Sequence, residues 1–316
     1  MSWRPTATLG ALRRRAETLA RIRTYFAATG AFEVDTPLLC ARGVTDPALE
    51  NFAVSCGESG IAYLQTSPEF AMKRLIAAGS GDIYQIGHAF RREEAGRIHN
   101  SEFTLLEWYR LGRDHHGLMD DVEGLLAAVG LARPCRRASY AALCLAHAGL
   151  DPHRATTVEL ATAVERWQVA LAVADRTDRA LLLDVLFSHA VLPALAGAGA
   201  VFVYDFPREQ AAYARLGPGS PTVGERFELI VDGIEIANGY HELGDAAEQR
   251  ARQEAENACR IRRGRAPMAL DEDFLAALGE GFPSCAGAAL GVDRLQLVLD
   301  GGRELREVLA FPAAAG

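Results

Sequence analysis

The spacing of apolar and polar positions along the chain separates helical from extended segments. Leu12, Leu19, Ile22 and Phe26 fall near helical spacing with arginines elsewhere, which predicts an amphipathic helix over residues 9–28 that Gly30 stops. Residues 31–36 then read as a short strand ending at Pro37. A second helix is predicted from Thr66-Ser67-Pro68-Glu69 to a stop near Gly79. Ser67 suits the N-cap, Pro68 the first helical position and Glu69 the positive end of the dipole. Residues 82–91 and 103–110 predict two strands joined by the polar loop 92–101. Helical patterns over 118–129, 157–171 and 179–189 predict a mostly helical insert between about residues 112 and 200, and 201–206 reads as a strand.

The sharpest local prediction is a hairpin over 227–238, because Asp232-Gly233 favours a two-residue primed turn. In that register Val231 faces Ile234, Ile230 faces Glu235 and Glu228 faces Ala237. Phe227, Leu229, Val231, Ile234 and Ile236 then share the buried face. Glu228 and Glu235 fall on the other face as diagonal neighbours, roughly 7 Å apart. Carboxylates that close repel each other unless a cation lies between them.

Composition narrows the class. The 33 basic and 41 acidic residues give a net charge of −8, with 23% charged and 49% apolar residues. Such a balance suits a globular chain with a sizeable core and argues against broad non-specific binding to nucleic acid, which phosphate neutralisation drives. Lys73 is the one lysine; every other basic residue is arginine. The longest stretch free of both charged residues and histidine, 190–204, contains Pro193, Gly197 and Gly199, and a spanning helix needs about 20 mostly apolar residues. The N-terminal region has no apolar core of a secretory signal, and six scattered cysteines form no C-x-x-C pair. A cytoplasmic, reduced protein is the expectation, with no zinc site or disulfide framework among the cysteines.

The chemistry is concentrated in two blocks. The first is Phe90-Arg91-Arg92-Glu93-Glu94, Gly96-Arg97-Ile98-His99-Asn100, Glu102-Phe103 and Glu107-Trp108-Tyr109; the second is Gly287-Ala288-Ala289-Leu290-Gly291-Val292-Asp293-Arg294. Together they resemble motifs 2 and 3 of the class II aminoacyl-tRNA synthetases, and Pro37 stands where motif 1 has its dimer-interface proline. Arg226-Phe227-Glu228, Glu235-Ile236-Ala237-Asn238-Gly239 and His241-Glu242-Leu243 resemble the lysine branch, with three glutamates spaced by seven. The resemblance covers nearly the whole chain as one catalytic domain over residues 1–316. Lysyl-tRNA synthetases carry an upstream anticodon-binding barrel for which this chain has no room. Thr66-Ser67-Pro68-Glu69 and Glu107-Trp108-Tyr109 are similar to the barrel-less ligases that attach (R)-β-lysine to elongation factor P.

That resemblance implies an α+β fold: the class II core, mostly antiparallel sheet flanked by helices, with a helical insert and a homodimer formed through the first helix and Pro37. It implies ATP and magnesium as cofactors, and elongation factor P and (R)-β-lysine as partners. It argues against tRNA as a substrate, in keeping with the acidic chain, and no membrane partner is expected. Arg91 would meet the α-phosphate, and Arg294 the γ-phosphate and adenine. Phe103 would stack on adenine and Glu93 would receive its amino group. Arg92 and Asn100 line the same loop, and Ile236 and Gly291 complete the nucleotide set. Glu228 and Glu235 would hold magnesium, since hard cations take oxygen ligands.

Ser67, Pro68, Glu69, Glu107, Tyr109 and Glu242 are the implied amino-acid pocket. Uncompensated carboxylates are costly when buried, so such a pocket suits a diamine. Glu242 and Tyr109 would hold the side-chain ammonium and Glu69 the nearer amino group. Two departures stand out. Ala289 replaces a glycine of the lysyl-tRNA synthetases, and its added Cβ alters the pocket floor; the ligases share the alanine. Ser101 stands where those ligases more often have proline. Arg260, Arg262, Arg263 and Arg265 follow a helix predicted over 246–259 and read as a solvated helix end, with a docking patch as the alternative. His115, His116 and the other histidines show no metal-ligand spacing. Two rival readings remain: an adenylating enzyme with another acceptor, and an inactive lysine-binding regulatory module.

Overall fold

The computed structural model describes residues 3–92, 94–169, 171 and 175–313. The chain begins with α1 (Leu9–Ala28), β1 (Phe32–Glu33), β2 (Leu39–Cys40), β3 (Ala53–Ser55), β4 (Ile61–Leu64), α2 (Glu69–Ala77), β5 (Ile83–Phe90) and β6 (Glu102–Leu111). It continues through α3 (His115–Ala128), β7 (Cys135–Ser139), α4 (Tyr140–Ala148), α5 (Thr157–Glu165), α6 (Arg179–Leu186) and β8 (Ala200–Pro207). The last third holds β9 (Val223–Val231), β10 (Ile234–His241), α7 (Ala246–Arg262), α8 (Glu272–Gly279), β11 (Cys285–Gly291) and α9 (Val292–Leu299). These elements fall into two compact units. One runs through Arg113, resumes at Gly124–Leu131 and again from Gly244; the other comprises Asp114–Glu123 and Ala132–Leu243.

In the first unit the strands lie in the order β1-β5-β6-β11, with β1 parallel to β5 and the other pairs antiparallel. A small sheet, β2-β4-β3, is antiparallel throughout. Helix α1 has the predicted bounds, and Thr8 Oγ1 caps it by accepting from the Ala11 amide at 3.1 Å. Its buried stripe is Ala11, Thr18, Ile22 and Phe26, so the expected Leu12 and Leu19 are only half-buried. Phe26 fixes the helix on the sheet: its ring stacks on Tyr84 at 4.4 Å and meets Trp108 edge-on at 5.6 Å. The strand expected over 31–36 pairs only at Phe32 and Glu33. Beyond it the Thr36 amide donates to Gln85 Oε1 at 3.0 Å, a side chain taking the place of a ladder bond just before Pro37.

Helix α2 starts one residue later than predicted. Pro68 is the N-cap, and Ser67 Oγ accepts from the Glu69 amide at 3.3 Å. Helix α7 reaches Arg262, and Arg260 in its last turn is buried. Its guanidinium donates to the carbonyls of Asp46, Leu49 and Ala266 at 2.9–3.0 Å. The arginine-rich segment is therefore not a wholly solvated helix end, because Arg260 satisfies loop carbonyls that would otherwise be buried without donors.

The second unit pairs its strands in the order β10-β9-β8-β7, antiparallel except for β7 beside β8. Tyr140 stacks on Phe187 at 4.9 Å and touches Phe206 at 5.0 Å in one core cluster. Leu160, Leu182, Leu183 and Leu186 build a second. The region expected to be a helical insert also contains β7, whose alternation is too short to stand out. The helix predicted over 157–171 stops at Glu165, before Gln168 takes a φ of 56°. Helix α6 continues as a π-helical turn over Phe187–Val191.

The hairpin forms on the predicted turn, with Asp232 at φ 50° and Gly233 at φ 84°, the positive pair that a type I′ turn requires. Val231 faces Ile234 and Ile230 faces Glu235, as expected. A bulge between Glu235 and Ala237 then shifts the register, so Glu228 faces Asn238 rather than Ala237. Ile236 and Ala237 are buried in succession, which strict alternation does not allow and an extra residue does. At Gly233 an added Cβ would lie 3.3 Å from Ala196 Cα, on top of the left-handed backbone penalty of roughly 1–2 kcal/mol. Gly233→Ala is therefore expected to lower unfolding free energy by about 1–2 kcal/mol in denaturant titration.

Candidate active site

The predicted nucleotide and amino-acid residues of the first unit lie on β6, at the end of β11, between β5 and β6, and at the starts of α2 and α9. Arg91 directly follows β5, where its amide donates to the Ser101 carbonyl at 2.9 Å and so prolongs the pairing with β6. Its guanidinium lies over the Phe103 ring at 5.0 Å and donates to Glu94 at 3.1 Å. Arg91 Nε is buried with no hydrogen-bond partner among the described residues. A buried guanidinium nitrogen with an unused donor is suited to an anionic ligand. Arg294, on the first turn of α9, donates through Nε to the Ile98 carbonyl at 3.2 Å, which ties it to the loop between β5 and β6. Gly291 is the N-cap of α9.

Other members of the set are engaged differently. Arg92 is exposed, and its amide donates to the Glu50 carbonyl at 3.0 Å. Asn100 is buried, with its amide group spent on backbone: it donates to the Glu102 carbonyl at 2.5 Å and accepts from the Ala313 amide at 2.9 Å. Asn100 thus shapes the loop from within. Glu93 lies outside the described residues.

Glu107 and Tyr109 alternate along β6 and so project to the same side. Glu107 is 3% exposed and accepts from the Tyr109 hydroxyl at 2.8 Å. On the neighbouring strand Ala289 faces Glu107 and Gly287 faces Tyr109. Directly opposed residues share a face, so the acid is flanked by nothing larger than a methyl on that strand. Tyr109 packs with Met72 and Ile76 of α2, the helix that begins at Glu69. Glu69 itself is held by Lys73 one turn on, Nζ to Oε1 at 2.6 Å, with the Lys73 side chain 1% exposed. Its carboxylate is already paired with a cation, which the sequence reading missed; the i, i+4 spacing of Glu69 and Lys73 was the available signal. A cavity of about 310 Å³ is lined by Ser67, Pro68 and Glu69 together with Asn51 and Arg74.

In the second unit, Glu228 on β9 pairs with Arg226 at 2.5 Å. Arg226 also lies over the Phe206 ring at 4.4 Å and donates to the Gln210 carbonyl at 2.7 Å. Burial pushes the Glu228 carboxyl up to about 7; Arg226 opposes the shift and the charge of Glu235 adds to it. A buried carboxylate with a second carboxylate acting on it fits a cation, so the residues present suit a divalent metal. Ile236 is the buried bulge residue beside Glu235. Glu242, just past β10, is 5% exposed.

The pairing of Glu69 with Lys73 makes a prediction. Glu69→Gln and Lys73→Met are each expected to cost about 2–4 kcal/mol, since each leaves a charge short of its partner, and the double variant less than the sum. A double-mutant cycle by chemical denaturation reads the coupling.

Comparison with known proteins supplies the family. The class II tRNA synthetases (D, K and N) match residues 1–315. The chain is 45% identical to elongation factor P--(R)-beta-lysine ligase of Vibrio vulnificus (strain YJ016), over 98% of both chains. It is 44% identical to the ligase of that name from Vibrio cholerae serotype O1, over 98% of this chain and 97% of the other. The Yersinia enterocolitica ligase of the same name is 43% identical, again over 98% and 97%. Among the described residues no helix is long and apolar enough to cross a membrane. With the α+β architecture, the strand β5, loop and strand β6 that carry Arg91, and the strand-to-helix step at Gly291, this chain belongs to the class II tRNA synthetase family.

Proposed function

We propose that this chain activates (R)-β-lysine with ATP and transfers it to a lysine side chain of elongation factor P. The relatives carrying that name, similar over nearly their full length, support the reaction. Within the chain, the reading is carried by one observation: Arg91 Nε, at the end of β5 and beside the Phe103 ring, is buried with no hydrogen-bond partner among the described residues. A buried guanidinium nitrogen with an unused donor calls for an anionic group such as a phosphate.

In the first step the amino acid's carboxylate oxygen attacks the α-phosphorus in line, and pyrophosphate leaves. In the second, the acceptor lysine's neutral amine attacks the acyl carbon of the adenylate, AMP leaves, and the amine's proton is lost. Both reactants of the first step are anionic, so positive charge has to stand ready where negative charge grows. Arg91 serves the α-phosphate, oriented by Glu94 and the Phe103 ring. Arg294 serves the γ-phosphate, and Phe103 stacks on adenine. Glu228 and Glu235 hold magnesium, which when bound neutralises charge on the phosphates. Glu107, Tyr109 and Glu242 receive ammonium groups of the amino acid, and Glu69, partly neutralised by Lys73, receives one only by sharing. The reading extends to a homodimer working in the cytoplasm.

The test is the intact mass of elongation factor P after incubation with this chain, ATP, magnesium and each lysine isomer. A lysine-sized gain, fastest with (R)-β-lysine, is expected, and Arg91→Ala should slow it roughly 100- to 1000-fold. Pyrophosphate exchange without a mass gain would move the reading to another acceptor. Neither signal would leave a lysine-binding module. Ala289→Gly is expected to raise activation of α-lysine relative to the β isomer, read as the ratio of kcat/KM values in pyrophosphate exchange; an unchanged ratio removes Ala289 from the selection.

A further inference from the structure

Outside the proposed active-site residues, the second unit gathers a set of imidazoles and carboxylates that the reaction does not use. One donor atom from each of His115, Glu225 and His241 lies within 4.8 Å of the other two. His115 begins α3 and is 5% exposed; Glu225 lies on β9 and His241 ends β10, with side chains 16% and 12% exposed. His241 Nδ1 stands 2.6 Å from Glu225 Oε2. The segment around Arg215 is inserted between the two strand ends, donating from the Arg215 amide to the His241 carbonyl and accepting from the Glu225 amide.

Two features separate this set from an ordinary polar cluster. The first is His115. Its Nε2 stands 3.1 Å from Asp205 Oδ1, while its Nδ1 is buried with no hydrogen-bond partner among the described residues. A carboxylate on one ring nitrogen fixes the proton there and leaves the other with its lone pair, the arrangement of a metal-ligating histidine and its orienting acid. The second is the backbone at Asp205. The residue has a φ of 58° and sits where the β8–β9 register slips between Tyr204 and Phe206. A bulge of this kind re-aims a side chain at some cost in strain. Here it turns the carboxylate to His115.

We propose that His115, Glu225 and His241 form a binding site for a divalent transition metal of the zinc type, with Asp205 as the orienting carboxylate. Two imidazoles and one carboxylate are borderline donors that suit zinc over magnesium, and a water completes four-coordination. Binding takes the lone pair of one ring nitrogen of the neutral His241, whose single proton stays on the other nitrogen. Arg215 Nε, now 3.3 Å from Glu225 Oε2, gives way to the metal; its side chain is 45% exposed and free to swing outward. Sequence spacing hides such a site because its ligands come from α3, β9 and β10, with the orienting acid on β8. Occupied, it would clamp those four elements together.

The experiment titrates the full chain with cobalt(II), in excess magnesium so that the Glu228 and Glu235 carboxylates are not the readout, and follows visible d–d absorption. One equivalent with the intensity of a four-coordinate ion, displaced by zinc and accompanied by a rise in Tm, is expected. Glu225→Gln and His241→Asn should each weaken binding at least tenfold, and Asp205→Asn by roughly 10- to 100-fold. Circular dichroism identifies any variant that does not fold, and the remaining ones decide the matter. No saturable cobalt spectrum in the folded chain overturns the proposal. So does equal affinity in folded Glu225→Gln and Asp205→Asn, or a spectrum lost only in Glu228→Gln.

Discussion

Ionised groups taken out of water have to meet a counter-charge or a full set of hydrogen bonds, and the first unit is arranged around that constraint. Asp293, 2% exposed on α9, receives Arg15 of α1 at 2.6 Å and the Thr104 amide of β6 at 3.0 Å. One carboxylate thereby joins the first helix, a central strand and the last helix. Arg110, 1% exposed on β6, donates to Thr29 beyond the end of α1, reaches Asp82 and lies 5.4 Å over the Phe26 ring. The apolar contact of Phe26 with Tyr84 and Trp108 supplies burial, while these two ion centres set the position at which it occurs. Glu107, nearly as deeply buried as Asp293, accepts from the Tyr109 hydroxyl on its own strand.

Much of this was legible in the sequence where one local signal settled the matter. Helix α1 has a strong amphipathic period and a glycine stop, and its bounds came out as read. The Asp232-Gly233 turn selects a primed conformation by its demand for positive φ, so the first two pairs of the hairpin were readable. The runs on β6 and α9 were legible for another reason: they follow the pattern of a family that matches residues 1–315.

What escaped the reading depends on tertiary contacts that no periodicity encodes. The bulge at Ile236 adds one residue to β10, and nothing in Glu235-Ile236-Ala237 distinguishes a bulged run from a regular one. Arg260 looked like its arginine neighbours, yet it is buried and reaches the carbonyls of Asp46 and Leu49. Its burial is decided by a loop more than 200 positions away in the chain. Lys73 is similar. A helix-spaced Glu and Lys usually make a solvated pair worth a few tenths of a kcal/mol. In this fold the lysine points inward, 6.0 Å from the Phe274 ring, so the same spacing becomes a buried ion pair at the base of the amino-acid residues.

The alternation on β11 carries this logic to substrate choice. Ala286, Ala288 and Leu290 oppose Arg110, Trp108 and Leu106, and are buried with them. The intervening residues, Gly287, Ala289 and Gly291, oppose Tyr109, Glu107 and Leu105. One face of the strand therefore packs as core, while the other, past the buried Cys285, carries only small residues beside the acid. Between Cys285 at the start of the strand and Gly291 at its end, the one side chain on that face is the Ala289 methyl, at the position facing Glu107. A bulkier residue would fill the space next to the carboxylate, and a third glycine would leave it open to an amino group at a different carbon. If the acids receive the cation as proposed, the Ala289 methyl would choose the isomer without altering the charge of the pocket.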